Sequence, residues 1–198
     1  MSAPKHVCVV LAAGEGRRAG SYKPLMDLGE GKVIDRVVDA ASEAAGEIRV
    51  VGGCEFARLE AHLARRWPHA IAVQNARWER GMFSSARAGL EGVTGTAFIH
   101  PADVPGPGRA IYRALAEAFE ADPRDVVRPV YGGRRGHPVL LSPAAVRAVL
   151  AADPDATLRE VLAPLPSAEV AVDDDLVLYD FDTLEELETL RRRLARGA

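Results

Sequence analysis

The feature that most constrains this chain is a short apolar run near its start, His6-Val7-Cys8-Val9-Val10-Leu11, which ends in Ala12-Ala13-Gly14. A strand that is apolar at successive positions is buried on both faces, the habit of parallel strands sandwiched between helices. Such a strand needs covering helices, and the sequence supplies them. Val33, Ile34, Val37, Val38 and Ala41 recur at helical spacing. Ile48 to Val51 reads as a second strand, ended by Gly52-Gly53, and Phe56 to Trp67 as a helix ended by Pro68. Ala70 to Val73 predicts a third strand, Met82 to Leu90 a helix, Thr96 to His100 a buried strand broken by Pro101, and Arg109 to Ala121 a further helix. This alternation predicts a Rossmann-like, three-layer α/β/α architecture with a mostly parallel sheet.

The pattern changes in the last third. Val126 to Tyr131 and Pro138 to Leu141 flank Gly132-Gly133-Arg134-Arg135-Gly136, which predicts a hairpin or a bent strand pair. Ser142-Pro143 is a helix start, a capping hydroxyl followed by proline in the first turn. A short helix is expected from Asp155 to Leu162, a strand near Val170, and another from Leu176 to Phe181. Thr183 with Glu186 forms a capping box for a final helix. The 198 residues are read as one domain, residues 1–198, large enough to build a core without staples.

Composition removes several classes of function. A net charge of −3 gives no basic footprint for nucleic acid. No apolar run approaches a membrane span, and Met1 to Lys5 carries no signal-peptide pattern. The two cysteines, Cys8 and Cys54, belong to no C-x-x-C pair. A reducing, cytoplasmic location is the expectation.

The chemistry is expected in the loop after the first strand, Leu11-Ala12-Ala13-Gly14-Glu15-Gly16-Arg17-Arg18-Ala19-Gly20-Ser21-Tyr22-Lys23. Glycines let backbone amides approach phosphates closely, and Arg17, Arg18 and Lys23 add positive charge. A dinucleotide fingerprint built on Gly14, Gly16 and Gly20 needs a helix starting inside the loop and an acid ending the second strand. Pro24 and Gly52-Gly53 stand there instead. The phosphate-loop motif Gly-Lys-Ser/Thr is absent, and a plain glycine-rich turn with solvated arginines remains the bland alternative.

Further along, Asn75-Ala76-Arg77-Trp78-Glu79-Arg80-Gly81-Met82-Phe83-Ser84-Ser85 is a loop entering a helix, with amides available at the helix N-terminus. Packing of Trp78 and Met82 would explain it equally well. Asp103, in Pro101-Ala102-Asp103-Val104-Pro105, follows a parallel strand and so faces the usual ligand crevice. A turn aspartate before proline is its plainer reading. Alternation in a strand would place Asp180 and Asp182 on one face. Mg²⁺ is satisfied by one or two carboxylates plus phosphates and waters, so Asp103 with Asp180 or Asp182 is a candidate metal set, while support of the capping box at Thr183 is the structural alternative for Asp182. Arg134, Arg135 and His137 form a cluster suited to a phosphate. Asp173-Asp174-Asp175 and Arg191-Arg192-Arg193 read as a solvated loop and a helix-end charge run.

These motifs, in this order, resemble the MobA-like nucleotidyltransferases. The family's loop runs Leu-Ala-(Ala/Gly)-Gly-x-Ser-x-Arg-Met-Gly-x-x-Lys, matched here at Leu11, Ala12, Ala13, Gly14, Arg18, Gly20 and Lys23. Gly16 stands where serine is usual and Ala19 where methionine is usual, so a hydroxyl contact is lost while the cations stay. The Asn75–Ser85 string and Gly136-His137-Pro138-Val139 resemble the cytidylyltransferase branch, which makes molybdopterin cytosine dinucleotide. Asp103 resembles the family's Asp-x-Pro metal site, and Asp180-Phe181-Asp182-Thr183 its Asp-Ile-Asp-Thr motif.

The resemblance implies a fold of the nucleotide-diphospho-sugar transferase type. It implies nucleotide contacts at Leu11, Ala12, Ala13, Gly14, Gly16, Arg18, Lys23, Asn75, Gly81 and Ser85, catalytic roles for Arg18, Lys23 and Asp103, and acceptor contacts at Arg134, Arg135 and His137. The implied reaction is Mg²⁺-dependent transfer of a nucleoside monophosphate, from CTP in preference, to a phosphorylated small molecule such as molybdopterin, with pyrophosphate released. A GTP-dependent guanylyltransferase, another small-molecule-phosphate nucleotidyltransferase, and a non-catalytic nucleotide-binding protein are the alternatives. A molybdoenzyme or its chaperone is compatible as a protein partner.

Overall fold

The computed structural model describes residues 6–15 and 21–196. Its chain runs β1 (His6–Ala12), α1 (Val33–Ala41), β2 (Ala45–Gly52), α2 (Phe56–Arg66), β3 (Ala70–Gln74), α3 (Met82–Leu90), β4 (Ala97–Pro101) and α4 (Arg109–Ala121). It continues through β5 (Val126–Tyr131), β6 (Arg134–Arg135), β7 (Val139–Leu141), α5 (Pro143–Ala151), α6 (Leu158–Leu162), β8 (Ser167–Ala171) and α7 (Leu184–Arg196). The strands form one sheet in the order β3-β2-β1-β4-β7-β5-β6, with β8 paired to β5. The β3-β2-β1-β4 block is parallel. β7 runs antiparallel between β4 and β5, and β8 returns parallel to β5.

Strand alternation divides the core into two layers. Cys8, Val10, Val50, Phe98 and Leu140 pack beneath α1, α2 and α4. Val9, Leu11, Val51, Ile99 and Leu141 pack beneath α3, α5 and α6. A smaller cluster of Met26, Val33, Phe181, Leu187 and Leu190 fastens α7 onto the segment before α1. The three-layer, mostly parallel architecture expected from the sequence is the one found. Among the described residues, no helix is long and apolar enough to cross a membrane.

Three local expectations are corrected. Leu176 to Phe181 is not a strand: Asp175–Leu178 is a 3₁₀ turn, started where the Asp174 carboxylate accepts the Leu176 N–H at 2.9 Å. The free edge of β5 is already occupied by β8. The strand-face argument for Asp180 and Asp182 therefore fails. The short helix begins at Leu158, not Asp155, because Thr157 and Glu160 cap each other's backbone amides there, while Asp155 sits in a turn on Asp153. Pro101 ends β4 rather than lying outside it, in register with Leu11.

Candidate active site

A cleft of about 210 Å³ opens at the carboxyl ends of the central parallel strands. Its walls come from four stretches far apart in sequence: the β1 exit Leu11 to Gly14, Lys23-Pro24, the Trp78-to-Ser85 turn and α3 start, and Pro101 to Asp103. This is the crevice where open α/β sheets bind ligands. Of the expected nucleotide residues, Leu11, Ala12, Ala13, Gly14, Lys23, Gly81 and Ser85 line it, as does Asp103. The expectations placed on Gly16 and Arg18 lie outside the described residues.

The β1 exit is held from behind. The Tyr22 hydroxyl, on a buried ring, donates to the Ala12 carbonyl at 2.5 Å. Gly53 lets two loops touch: a β-carbon there would lie 2.5 Å from the Ala13 carbonyl oxygen and 2.6 Å from Trp78. Sequence reasoning treated Gly52-Gly53 only as a strand end. The doubled glycine at a parallel strand's carboxyl end was the available signal.

Asn75 stands behind the cleft rather than on it. Its side chain is buried, donates to Ser84 Oγ at 2.9 Å and Ser85 Oγ at 3.0 Å, and accepts the Arg77 N–H at 2.9 Å. Those bonds set the entry into α3. Gly81 then takes φ +90° ahead of the first helical turn, a conformation that favours glycine. The amides opening α3 carry no intrahelical partner and suit an anion.

Opposite stands a charged group. Lys23 Nζ lies 2.6 Å from Asp182 Oδ1 and 3.7 Å from Asp103 Oδ2, and it caps the Phe181 ring at 5.3 Å. The Asp103 carboxyl is raised above its ordinary value, chiefly by burial, with Asp180 and Asp182 adding repulsion and Lys23 opposing. Asp180 is exposed and acts on Asp103 through charge alone; Asp182 is the one in contact with Lys23. The Asp103 turn is anchored twice. Its carbonyl accepts the Phe181 N–H at 3.2 Å. The buried His100 donates from Nε2 to the Val104 carbonyl at 2.8 Å and accepts from the Tyr112 hydroxyl at Nδ1. A ring bonded this way is neutral, and burial lowers its pKa to about 3.

The expected acceptor cluster is split. Arg134 and Arg135 are exposed on β6, and Arg135 is paired with Glu169 at 2.6 Å. His137 lies in the bend between β6 and β7, half-buried, with its pKa lowered to about 4 by burial and then by the Arg128 charge, against the pull of Asp180. Among the described residues, no group of three or more metal-ligating side chains converges. Asp103 and Asp182, hard oxygen donors brought to one ammonium, suit a cation such as Mg²⁺, which needs only one or two carboxylates beside phosphates and water.

A switch-point cleft with a helix N-terminus on one side and a lysine bracketed by carboxylates on the other defines a nucleotide-handling α/β protein. The chain belongs to the MobA-like NTP transferase domain family, which matches over residues 8–170, and it is a nucleotidyltransferase. It is similar to the molybdenum cofactor cytidylyltransferase of Escherichia coli (strain K12), 22% identical over 94% of this chain and 95% of that protein. Among solved structures it resembles a nucleotidyl transferase from Methanothermobacter thermautotroptrophicus (TM-score 0.80, 18% identity, 98% of this chain and 100% of that one). It also resembles Rv0371c from Mycobacterium tuberculosis H37Rv (TM-score 0.79, 22% identity, 95% and 98%), which has been solved in complex with manganese as well.

Proposed function

We propose that this protein, as a single MobA-like domain, transfers a nucleoside monophosphate from a Mg²⁺-bound nucleoside triphosphate, CTP in preference, to a phosphorylated small molecule of the molybdopterin class. The observation that carries the reading is Lys23 Nζ set between Asp182 and Asp103 at the end of the cleft that begins at the β1 glycine exit.

An oxygen of the acceptor's phosphate monoester attacks the α-phosphorus of the triphosphate. A new P–O bond forms, the bond from the α-phosphorus to the bridging oxygen breaks, and pyrophosphate leaves. A monoester is anionic at neutral pH, so positioning and charge stabilisation carry the catalysis. Lys23 neutralises the phosphates, and the amides at the start of α3 bind an anionic portion of the nucleotide. Asp103 and Asp182 would hold a divalent cation, which when bound supplies further neutralisation of the phosphates; the manganese-bound relative supports that role.

The Ala12-Ala13-Gly14 exit and the Asn75–Ser85 string support CTP, as does the cytidylyltransferase relative. The test is thermal stabilisation by CTP, GTP, ATP and UTP with and without Mg²⁺, followed by pyrophosphate release with molybdopterin. A Mg²⁺-dependent preference for CTP is expected. A preference for GTP moves the assignment to guanylyl transfer, and no response to any triphosphate overturns it.

A further inference from the structure

On the proposed function the donor nucleotide lies in the cleft on the β1 side of β4, which leaves the β7 and β5 side for the acceptor. Two polar atoms on that side stand out. Among the described residues, Arg128 Nε and His137 Nδ1 are the buried side-chain nitrogens or oxygens with no hydrogen-bond partner. The fold satisfies its other interior histidines: His6 bonds Thr96 Oγ1 at 2.6 Å, and His100 uses both ring nitrogens. A buried polar group without a partner carries a desolvation penalty, so two in one neighbourhood point to a missing third group.

The backbone places them together. Gly136, next to His137, donates its N–H to the Pro129 carbonyl at 2.8 Å, beside Arg128 on β5. His137 donates its own N–H to the Val177 carbonyl at 2.9 Å. The bend is closely seated, since a β-carbon on Gly136 would lie 2.5 Å from that same carbonyl oxygen. Glu169, in register with Arg128 on the neighbouring strand, is engaged by Arg135. No carboxylate among the described residues therefore forms an ion pair with the Arg128 guanidinium. Each side chain is half-buried as a whole, while the two unpaired nitrogens themselves are buried.

We propose that Arg128 and His137 together grip an anionic oxygen of the phosphorylated acceptor, Arg128 being an acceptor-recognition residue. The Arg128 N–H groups and a neutral His137 N–H are all donors, and an oxyanion only accepts, so a phosphate oxygen satisfies both at once. Asp180, which acts electrostatically on both His137 and Asp103, ties this pair to the carboxylates of the cleft. The assignment rests on the nucleotidyltransferase reading.

The test uses full-length protein carrying ¹⁵N-histidine, loaded with Mg²⁺ and a non-hydrolysable CTP analogue so that the triphosphate site is filled. Phenyl phosphate is then titrated while the imidazole resonances are followed. A saturable shift of His137 Nδ1 is expected in the parent protein. Arg128→Lys, which keeps the charge and loses the fork, should weaken phenyl phosphate at least tenfold, and Arg128→Gln should abolish the shift. Affinity for the analogue should stay within twofold in both. An unmoved His137 in the parent protein, or equal phenyl phosphate affinity in the variants, overturns the grip whatever the variants' stability. Failure of the CTP analogue to bind is seen in the same samples and overturns the CTP-dependent reading, separately from the grip.

Discussion

Lys23 and Asp182, 159 positions apart, meet at 2.6 Å, so the connection from β1 to α1 and the entry to α7 share one charge pair. With Asp103 at 3.7 Å, the lysine is bracketed. Replacing it by methionine should lower the rate of pyrophosphate release by roughly 10²-fold or more, the scale set by losing one charge-stabilising group. Asp182→Asn should cost more than Asp180→Asn, because Asp182 contacts Lys23 and Asp180 does not. Steady-state assays on the three variants decide this, and equal losses for the two aspartate variants would refute the ranking.

Gly53 is a second lever. Its missing side chain lets the Ala13 carbonyl and Trp78 come together, so Gly53→Ala forces backbone to move. A loss of about 1–3 kcal/mol and a raised KM for the triphosphate are expected. Gly95→Ala is the control, since nothing lies within 4 Å of a β-carbon there. Its stability change should remain within about 0.5 kcal/mol. Urea midpoints for the pair give the comparison, and equal midpoints would show that the loop contact is slack.

Acid should weaken the fold before the carboxylates titrate. Burial lowers the folded pKa values of His100 and His137 to about 3 and about 4, against 6.5 for an ordinary histidine. A depressed histidine favours the native state above its unfolded pKa, and that contribution is lost as pH falls from about 6.5 toward the folded value. Unfolding then takes up a proton per histidine, with a slope approaching about 1.4 kcal/mol per pH unit for each. Denaturation curves at pH 7.5 and 5.0 should separate clearly. A flat profile across that range would mean that neither ring is held neutral.

Tyr112→Phe removes the hydroxyl that bonds His100 Nδ1 inside the core. The ring then keeps its bond to Val104 and loses the other, at a cost of about 1–3 kcal/mol. Because His100 anchors the turn carrying Asp103, turnover should fall more than nucleotide affinity. Parallel measurement of kcat and triphosphate affinity reads this out. An unchanged kcat would detach the buried ring from the site.

The sheet was legible because its parallel strands are buried on both faces and closed by glycine or proline, as at Leu11 to Gly14 and Val51 to Gly53. The stretch from Leu176 to Phe181 misled because apolar residues on a 3₁₀ turn look like a strand when pairing partners are unknown. Whether β5 had a free edge could not be read from a string. Asp103, Lys23 and Asp182 were legible as separate residues, but their convergence depends on where α7 docks. Arg128 was missed because a cation within a strand reads as solvent-facing. Its signal was a charge set between Val127 and Pro129 in an otherwise apolar run.

The docking of α7 has a consequence for the growing polypeptide. Met26 and Val33 from the front of the chain pack with Leu187 and Leu190 near its back, and Asp182 arrives at Lys23 through that clamp. A nascent chain can lay down β1 to β4 and the glycine exit while Lys23 still lacks the nearer of its two carboxylates. On the proposed role of Asp182, a chain made only as far as β4 therefore carries the glycine exit and Lys23 without the carboxylate that α7 docking brings to them.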